Sequence, residues 1–192
     1  MQRLNAVNPE TAQGRTKELL NNVNEAFGMI PNTAKVMANS PAVLESFLSF
    51  TQAMGSASIG EKLYNQVKLS TSETNACNYC TSILSAVAPS AGLSADDILA
   101  GRTSSSEDQR TDVALKFGEA VLESRGKVTE TQLKSVRAAG FNDAEIVEIV
   151  TSVVLGCFTN FLNNVADTEL DVPQAEPITE GAACASGTCS TH

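Results

Sequence analysis

Aromatic and imidazole side chains are scarce in this sequence. Its 192 residues include no tryptophan, two tyrosines and seven phenylalanines. A core with so few aromatic groups has to be built mostly from Leu, Ile, Val and Ala, a composition that suits closely packed helices. The single histidine is His192, so no imidazole is expected in the core for metal binding or acid–base chemistry. An apolar fraction of 42% is nevertheless ample for one folded domain.

Positive charge is also in short supply. Thirteen Lys and Arg residues face 22 Asp and Glu residues, which gives a formal net charge of −9. No basic stripe is available to meet phosphates, so we expect no nucleic-acid partner. Residues 1–9 contain no apolar signal-peptide region, and the longest apolar tract, residues 146–162, is interrupted by polar side chains. We therefore predict a cytoplasmic protein with no membrane partner.

Strand patterns are missing as well, because no segment alternates apolar and polar residues for long. Helix signals recur instead. Residues 129–132 and 142–145 read as capping boxes, and the second opens a long helix over about residues 143–165. Further helices are predicted over residues 16–27, 43–54, 60–71 and 107–124. The predicted fold class is all-α.

The most informative motif is Cys77-Asn78-Tyr79-Cys80, in a segment that reads as helical. Residues three apart in a helix have Cα atoms about 5 Å apart, within the range that a disulfide tolerates. The pair can therefore open and close with little backbone movement. The motif alone leaves three interpretations open, namely a redox pair, half of a zinc site that needs further ligands, and inert buried thiols.

The surroundings of the pair favour reactivity. If Asn75 caps the helix, Cys77 lies near the second helical position, where free N–H groups and the helix dipole favour a thiolate. Glu73, four residues earlier, is either a proton relay or a solvated carboxylate. Tyr79 is expected to be a half-buried packing residue, and Cys157, in an apolar helix, a core residue.

The composition changes near Asp171, where a Pro-containing, linker-like stretch begins. We predict one helical domain over residues 1–172 and a flexible tail over residues 173–192. The tail offers little apolar area to offset ordering entropy, so it is expected to be mobile and protease-sensitive. It carries Cys184 and Cys189, which either pass electrons to the Cys77–Cys80 pair or are incidental thiols.

Several segments together resemble one known family. Residues 60–101 contain a helix, the sequence Asn-x-Cys-x-Tyr-Cys and a second helix that leads into Ala-Gly-Leu-Ser-Ala-Asp-Asp-Ile. Residues 28–32, 40–44 and 137–146 extend the match on both sides. Over about residues 14–172 the chain is similar to the alkylhydroperoxidase (AhpD)-like, carboxymuconolactone decarboxylase superfamily.

The resemblance implies an all-helical domain that forms homo-oligomers, often trimers or hexamers, and reduces peroxides through thiols. It also implies that Cys80 attacks the peroxide and Cys77 resolves, whereas the helix dipole favours Cys77 as the attacking thiol. Peroxidase members of the family have a proton relay of a glutamate and a histidine. Asn65 and Leu84 stand at those positions in this sequence.

The predicted function is a thiol-dependent oxidoreductase that acts on a peroxide or a disulfide, with Cys77 and Cys80 as catalytic residues and Glu73 as a possible proton relay. An unidentified dithiol would supply electrons, and neither a cofactor nor a resident metal is expected. Two alternatives remain: a non-catalytic relative that binds a small molecule or a partner, and a zinc module that adds ligands such as Cys184, Cys189 and His192.

Overall fold

The structure is a computed structural model, and it describes residues 2–178. Within this range the chain forms nine α-helices, one 3-10 helix and no strand, so the predicted all-α class is confirmed. The helices are α1 (Gly14–Phe27), α2 (Asn32–Met37), α3 (Pro41–Met54), α4 (Gly60–Thr74), α5 (Asn78–Val87), α6 (Ala95–Thr103), α7 (Gln109–Ser124), α8 (Glu130–Ala138) and α9 (Asp143–Ala166), with the 3-10 helix Ala88–Ala91 after α5.

Helix α4 lies at the centre of the fold and packs against α5, α6, α7 and α9. Its buried side chains Leu63, Tyr64 and Val67 belong to the main core, to which α7, α8 and α9 also contribute. A second, smaller apolar cluster joins α1, α2 and α3 through residues such as Leu20 and Leu44. The start of α5, where the two cysteines lie, is therefore held between the central helix and α9.

Both predicted capping boxes are confirmed. The Gln132 backbone N–H donates to Thr129 Oγ1 at 3.2 Å, and the Glu145 backbone N–H donates to Asn142 Oδ1 at 3.0 Å. Both are complete capping boxes. Helix α7 begins at Gln109 rather than near residue 107, because Asp108 is its N-cap and accepts from the Thr111 N–H.

Helix α9 is the longest helix of the described chain. By length and composition alone it is long and apolar enough to cross a membrane, which differs from the expectation that residues 146–162 fall short of a span. In this fold one side of it packs into the core, where Ile149 and Leu155 are fully buried. It also buries two amides, Asn160 and Asn163, which face the segment that carries the cysteines.

Candidate active site

The turn between α4 and α5 sets the position of the cysteine pair. Helix α4 runs to Thr74 and has Asn75 as its C-cap. Ala76 then adopts a left-handed conformation with φ of 49°, and the Cys77 N–H donates to the Ser72 carbonyl at 2.9 Å. The prediction that Asn75 caps the cysteine helix is therefore wrong, because Asn75 closes the preceding helix.

The cause is a run of hydroxyl side chains at the end of α4. Ser and Thr usually favour helix ends because their hydroxyls compete for backbone groups. Here the hydroxyls of Thr71, Ser72 and Thr74 donate to the carbonyls four residues earlier, at 2.8–3.0 Å. This pattern is compatible with a continuing helix, so α4 extends three residues beyond the predicted end.

Cys77 is itself the N-cap of α5. Its Sγ accepts a hydrogen bond from the Cys80 backbone N–H at 3.3 Å. This places Cys77 slightly earlier than predicted, but still at the positive end of the helix dipole. A backbone N–H directed at sulfur and the dipole both stabilise a thiolate relative to a thiol.

The two cysteines are close and covered. Their sulfur atoms lie at disulfide distance, and their Cα atoms are 5.3 Å apart, which agrees with the separation expected from their spacing. Cys77 is 1% exposed and Cys80 2% exposed. Tyr79 and Ile83 pack in the same small cluster. A reactant therefore needs a local opening to reach either sulfur.

Sequence reasoning did not identify two residues near Cys80: Asn163, which contacts Cys80 Sγ, and Thr168, which contacts Asn163. Asn163 Nδ2 donates to Cys80 Sγ at 3.3 Å, and Asn163 Oδ1 accepts from Thr168 Oγ1 at 2.8 Å. Asn163 is 3% exposed. The only signal in the sequence was an amide placed within an otherwise apolar helix.

Asn160 holds the turn against α9. It is fully buried; its Nδ2 donates to Ser72 Oγ at 3.0 Å, and its Oδ1 accepts from Asn75 Nδ2 at 2.9 Å. Asn75 Nδ2 also lies 3.7 Å from Cys157 Sγ. Cys157 is a half-buried free thiol packed against the main core, and burial raises the pKa of its thiol.

The Glu73 side chain forms an ion pair with Arg102. Its carboxylate accepts a hydrogen bond from Arg102 Nε on α6, and both side chains are largely covered. It is therefore not the solvated carboxylate that one interpretation expected. A role for Glu73 as a proton relay stays a prediction, although the pairing occupies an oxygen that such a relay would use.

The residues at the positions of the family relay carry no ionisable group. Asn65 Nδ2 donates to the Glu61 carbonyl at 3.0 Å, within its own helix. Leu84 lies half-buried on α5. Neither side chain exchanges protons at ordinary pH, so they offer no substitute for a glutamate and a histidine.

Tyr79 has a polar role beyond the packing that was predicted. Its hydroxyl donates to Asp171 Oδ1 at 3.0 Å and accepts from the Thr33 N–H at 3.1 Å. Burial raises the pKa of the Tyr79 phenol. The chain beyond Asp171 continues along α5, where the Ala175 N–H donates to Ser82 Oγ at 3.0 Å.

A half-buried lysine lies one turn before Ser72 on α4. Lys68 Nζ is 4.6 Å from the centre of the Tyr64 ring, a cation–π contact. Burial lowers the pKa of Lys68 to about 8. Sequence reasoning did not single out this residue.

The first part of the predicted tail, residues 173–178, is described and includes Ala175, which bonds Ser82. The tail cysteines and His192 are not described, so the predictions of a mobile tail beyond residue 178, of an electron relay through Cys184 and Cys189, and of a zinc site that uses them lie outside the described residues. Among residues 2–178, no three or more His, Cys, Asp or Glu side chains come together as a metal site.

Comparison with known proteins defines the fold class. No family model and no curated protein matches the sequence. A peroxidase-related protein of uncharacterised function from Silicibacter sp. TM1040 matches with a TM-score of 0.72 and 20% identity over 88% of this chain and 94% of its own. An alkylhydroperoxidase AhpD core protein from Ralstonia eutropha JMP134 matches with a TM-score of 0.73 and 19% identity over 88% of this chain and 92% of its own.

A third similar structure is the debrominase Bmp8, solved as a cysteine-to-alanine variant with 2,3,4-tribromopyrrole. Its TM-score is 0.76, at 16% identity over 89% of this chain and 92% of its own. Together these likenesses show that the chain has the AhpD-like fold. The fold implied by the sequence resemblance is confirmed.

Proposed function

We propose that this protein is a thiol-dependent oxidoreductase that reduces a peroxide or a disulfide with the Cys77–Cys80 pair. The observation that carries the proposal is the placement of both sulfurs at disulfide distance at the start of α5. Each sulfur accepts a hydrogen bond from a neutral donor. Cys77 Sγ accepts from the Cys80 backbone N–H, and Cys80 Sγ accepts from the Asn163 amide. The peroxidase-related neighbours in the same fold support this chemistry.

The reaction balances with the two thiols as the only reductant in the site. One thiolate attacks a peroxide oxygen, the O–O bond breaks, and the alcohol leaves with a proton while a sulfenic acid forms. The second thiol attacks that sulfur, water leaves, and the Cys77–Cys80 disulfide forms. An external dithiol then restores both thiols by exchange. The family resemblance assigns the first attack to Cys80.

The decisive experiment combines peptide mapping with turnover. We expect diamide or peroxide to link Cys77 to Cys80 reversibly, and peroxide consumption to require a dithiol such as dihydrolipoamide or reduced thioredoxin. Cys77→Ser and Cys80→Ser should each abolish turnover. Cys157→Ser, which removes the other described thiol, is the matched control and should retain it. Cys77 and Cys80 that stay separately alkylatable after oxidation would rule out the proposal.

Debromination is a second candidate reaction, favoured by the fold match to Bmp8. The same dithiol supplies the two electrons that replace a carbon–bromine bond by a carbon–hydrogen bond, with release of bromide, one proton and the disulfide. Tribromopyrrole belongs in the substrate panel for this reason. Bromide release that depends on both cysteines, with no peroxide turnover, would select this reaction.

The non-catalytic and zinc alternatives make different predictions. A binding relative would leave the cysteines unlinked after mild oxidation. A zinc module would contain near-stoichiometric metal in protein purified without an affinity tag, and chelation would change its stability. We place the protein in the cytoplasm, where a reducing environment keeps such a pair available as a dithiol.

We also propose that the protein is a homo-oligomer, in keeping with the trimers or hexamers that the resemblance implies. Helix α9 exposes Val147, Val154 and Phe161, spaced seven residues apart, and then Val165; each is 52–63% exposed. A seven-residue apolar repeat forms a continuous stripe along one side of a helix. Such a stripe is a suitable contact for a second copy of the chain.

A further inference from the structure

We propose that the side-chain amide of Asn163 stabilises the Cys80 thiolate, and that Thr168 fixes the amide in the orientation this requires. The inference rests on the proposed function for its role in turnover. Its physical content, a lower pKa of the Cys80 thiol, does not depend on the substrate. Asn163 thus favours ionisation of Cys80 in a chain that lacks the relay histidine.

The orientation of the amide follows from its second contact. The Thr168 hydroxyl donates to Asn163 Oδ1 at 2.8 Å, and the Thr168 backbone N–H donates to the Asn163 carbonyl at 3.2 Å. Thr168 is itself 9% exposed. With the oxygen engaged on that side, the NH₂ group faces Cys80 Sγ at 3.3 Å.

A neutral amide acts on the charged form of the sulfur. A hydrogen bond from N–H to a thiolate is charge-assisted and considerably stronger than one to a neutral thiol. Both partners are almost fully buried, so water competes little for either group. The contact therefore favours ionisation of Cys80, but the amide cannot itself carry a proton away.

Few charged groups lie on the elements packed against Cys80. Residues 149–166 of α9 contain no Asp, Glu, Lys, Arg or His, and the 3-10 helix contains none; Cys157 is the titratable residue of that α9 stretch. Helix α4 carries Glu61, Lys62, Lys68 and Glu73. Only Lys68 and Glu73 lie in its last two turns, next to the cysteine pair, and Glu73 is paired with Arg102. At the start of α5 the titratable residues are Cys77 and Tyr79. The Tyr79 hydroxyl donates a hydrogen bond to Asp171.

The same contact serves the step that regenerates the dithiol. A donor thiolate attacks Cys77 Sγ, the disulfide breaks, and the electron pair goes to Cys80 Sγ, which faces the Asn163 N–H. A second donor thiol then attacks the mixed disulfide and releases Cys77. A leaving thiolate departs faster when its pKa is lower, so loss of the amide should slow this exchange.

The test measures the acidity of Cys80 directly, by site-resolved alkylation across pH in a Cys77→Ser background. Asn163→Leu removes the donor and should raise the Cys80 pKa by about one to two units. Asn163→Asp should raise it at least as far. Thr168→Val should raise it by less. Asn21→Asp, which makes the same change at an exposed position of α1, is the control and should leave it unchanged.

An unchanged Cys80 pKa in Asn163→Leu and Thr168→Val would overturn the inference, even if the pair proves fully redox-active. A raised pKa in protein whose cysteines never link would uphold the inference while the proposed function fails. Circular dichroism checks that each variant is folded. If the Asn163 variants do not fold, the Thr168→Val titration decides.

Discussion

Gly156 of α9 lies directly against Thr71 of α4. A β-carbon at position 156 would stand 2.8 Å from Thr71 Cγ2 and 3.0 Å from Thr71 Cβ, too close for real atoms. The two helices can approach this far only because one of them has no side chain there. The approach lets Asn160, one turn further along α9, reach Ser72 Oγ.

Gly156→Ala should therefore destabilise the protein by about 1–3 kcal/mol, since overpacking forces helices apart. Gly118→Ala is the matched control, because a β-carbon there meets Val153 and Val67 at an ordinary 3.5 Å. Urea unfolding of both variants measures the difference. Equal stability of the two would show that α9 shifts without cost.

The rate of any peroxidase reaction should rise with pH as a thiolate forms, without a histidine-like inflection near pH 6.5. Asn65 and Leu84 replace the proton relay, and a missing acid or base costs on the order of 10²–10⁴ in rate. Initial rates from pH 5 to 9 test this. An inflection near pH 6.5 that stays in place in Asn163→Leu, or a rate typical of complete relays, would contradict it.

In the same rate measurements, Glu73→Gln distinguishes two roles of the Glu73 carboxylate, as the partner of Arg102 and as a proton relay. Because Arg102 engages Glu73, we expect lower stability and a rate reduced by less than about tenfold. A fall on the order of 10² would instead identify Glu73 as the proton relay.

Lys68 should make stability depend on pH. Its pKa is lowered from 10.5 to about 8 in the folded protein, so between these values the unfolded chain binds more protons and stability rises with pH. Below pH 8 the cost of burying the charge is complete. Lys68→Met should be more stable than the native protein at pH 7, by about 1–3 kcal/mol, with a smaller advantage at pH 9.5.

Urea unfolding at the two pH values measures this effect. Lys62→Met is the control, since Lys62 is more than half exposed and pairs with Asp97. A Lys68→Met advantage that is the same at pH 7 and pH 9.5, or absent at both, would contradict the assignment.

The apolar stripe on α9 should hold the oligomer together. Phe161→Glu places a charge in the centre of the proposed contact and should yield smaller species by light scattering at micromolar concentration. Val87→Glu changes an exposed valine on α5, 44% exposed and outside the stripe, and should not. A monomeric native protein would contradict the proposal.

Removal of residues 179–192 tests the tail. We expect unchanged turnover with every dithiol donor, because of the two interpretations of Cys184 and Cys189 we favour the one that makes them incidental thiols. The deletion spares Ala175, which bonds Ser82. A loss of turnover that the double variant Cys184→Ser, Cys189→Ser reproduces would show instead that the tail passes electrons to the pair.

Local sequence signals predicted the features that local forces determine. Thr129 and Asn142 cap their helices because a short polar side chain there reaches an N–H three residues on, and the Cys77–Cys80 separation follows from helix geometry. Asn75 was misassigned because a hydroxyl-rich helix end resembles a helix start. Asn163 lies 83 residues from Cys80, and nothing in the local pattern encodes that pairing.

The Tyr79 hydroxyl has a consequence for how the protein is made. It joins Thr33, 46 residues before it, to Asp171, 92 residues after it. A nascent chain therefore presents the two cysteines long before Asn163 and Asp171 leave the ribosome. The surroundings that distinguish Cys77 and Cys80 from ordinary thiols are completed only by late, long-range contacts, which form slowly compared with helices. Until then the pair is open to the redox conditions of the compartment in which it is synthesised.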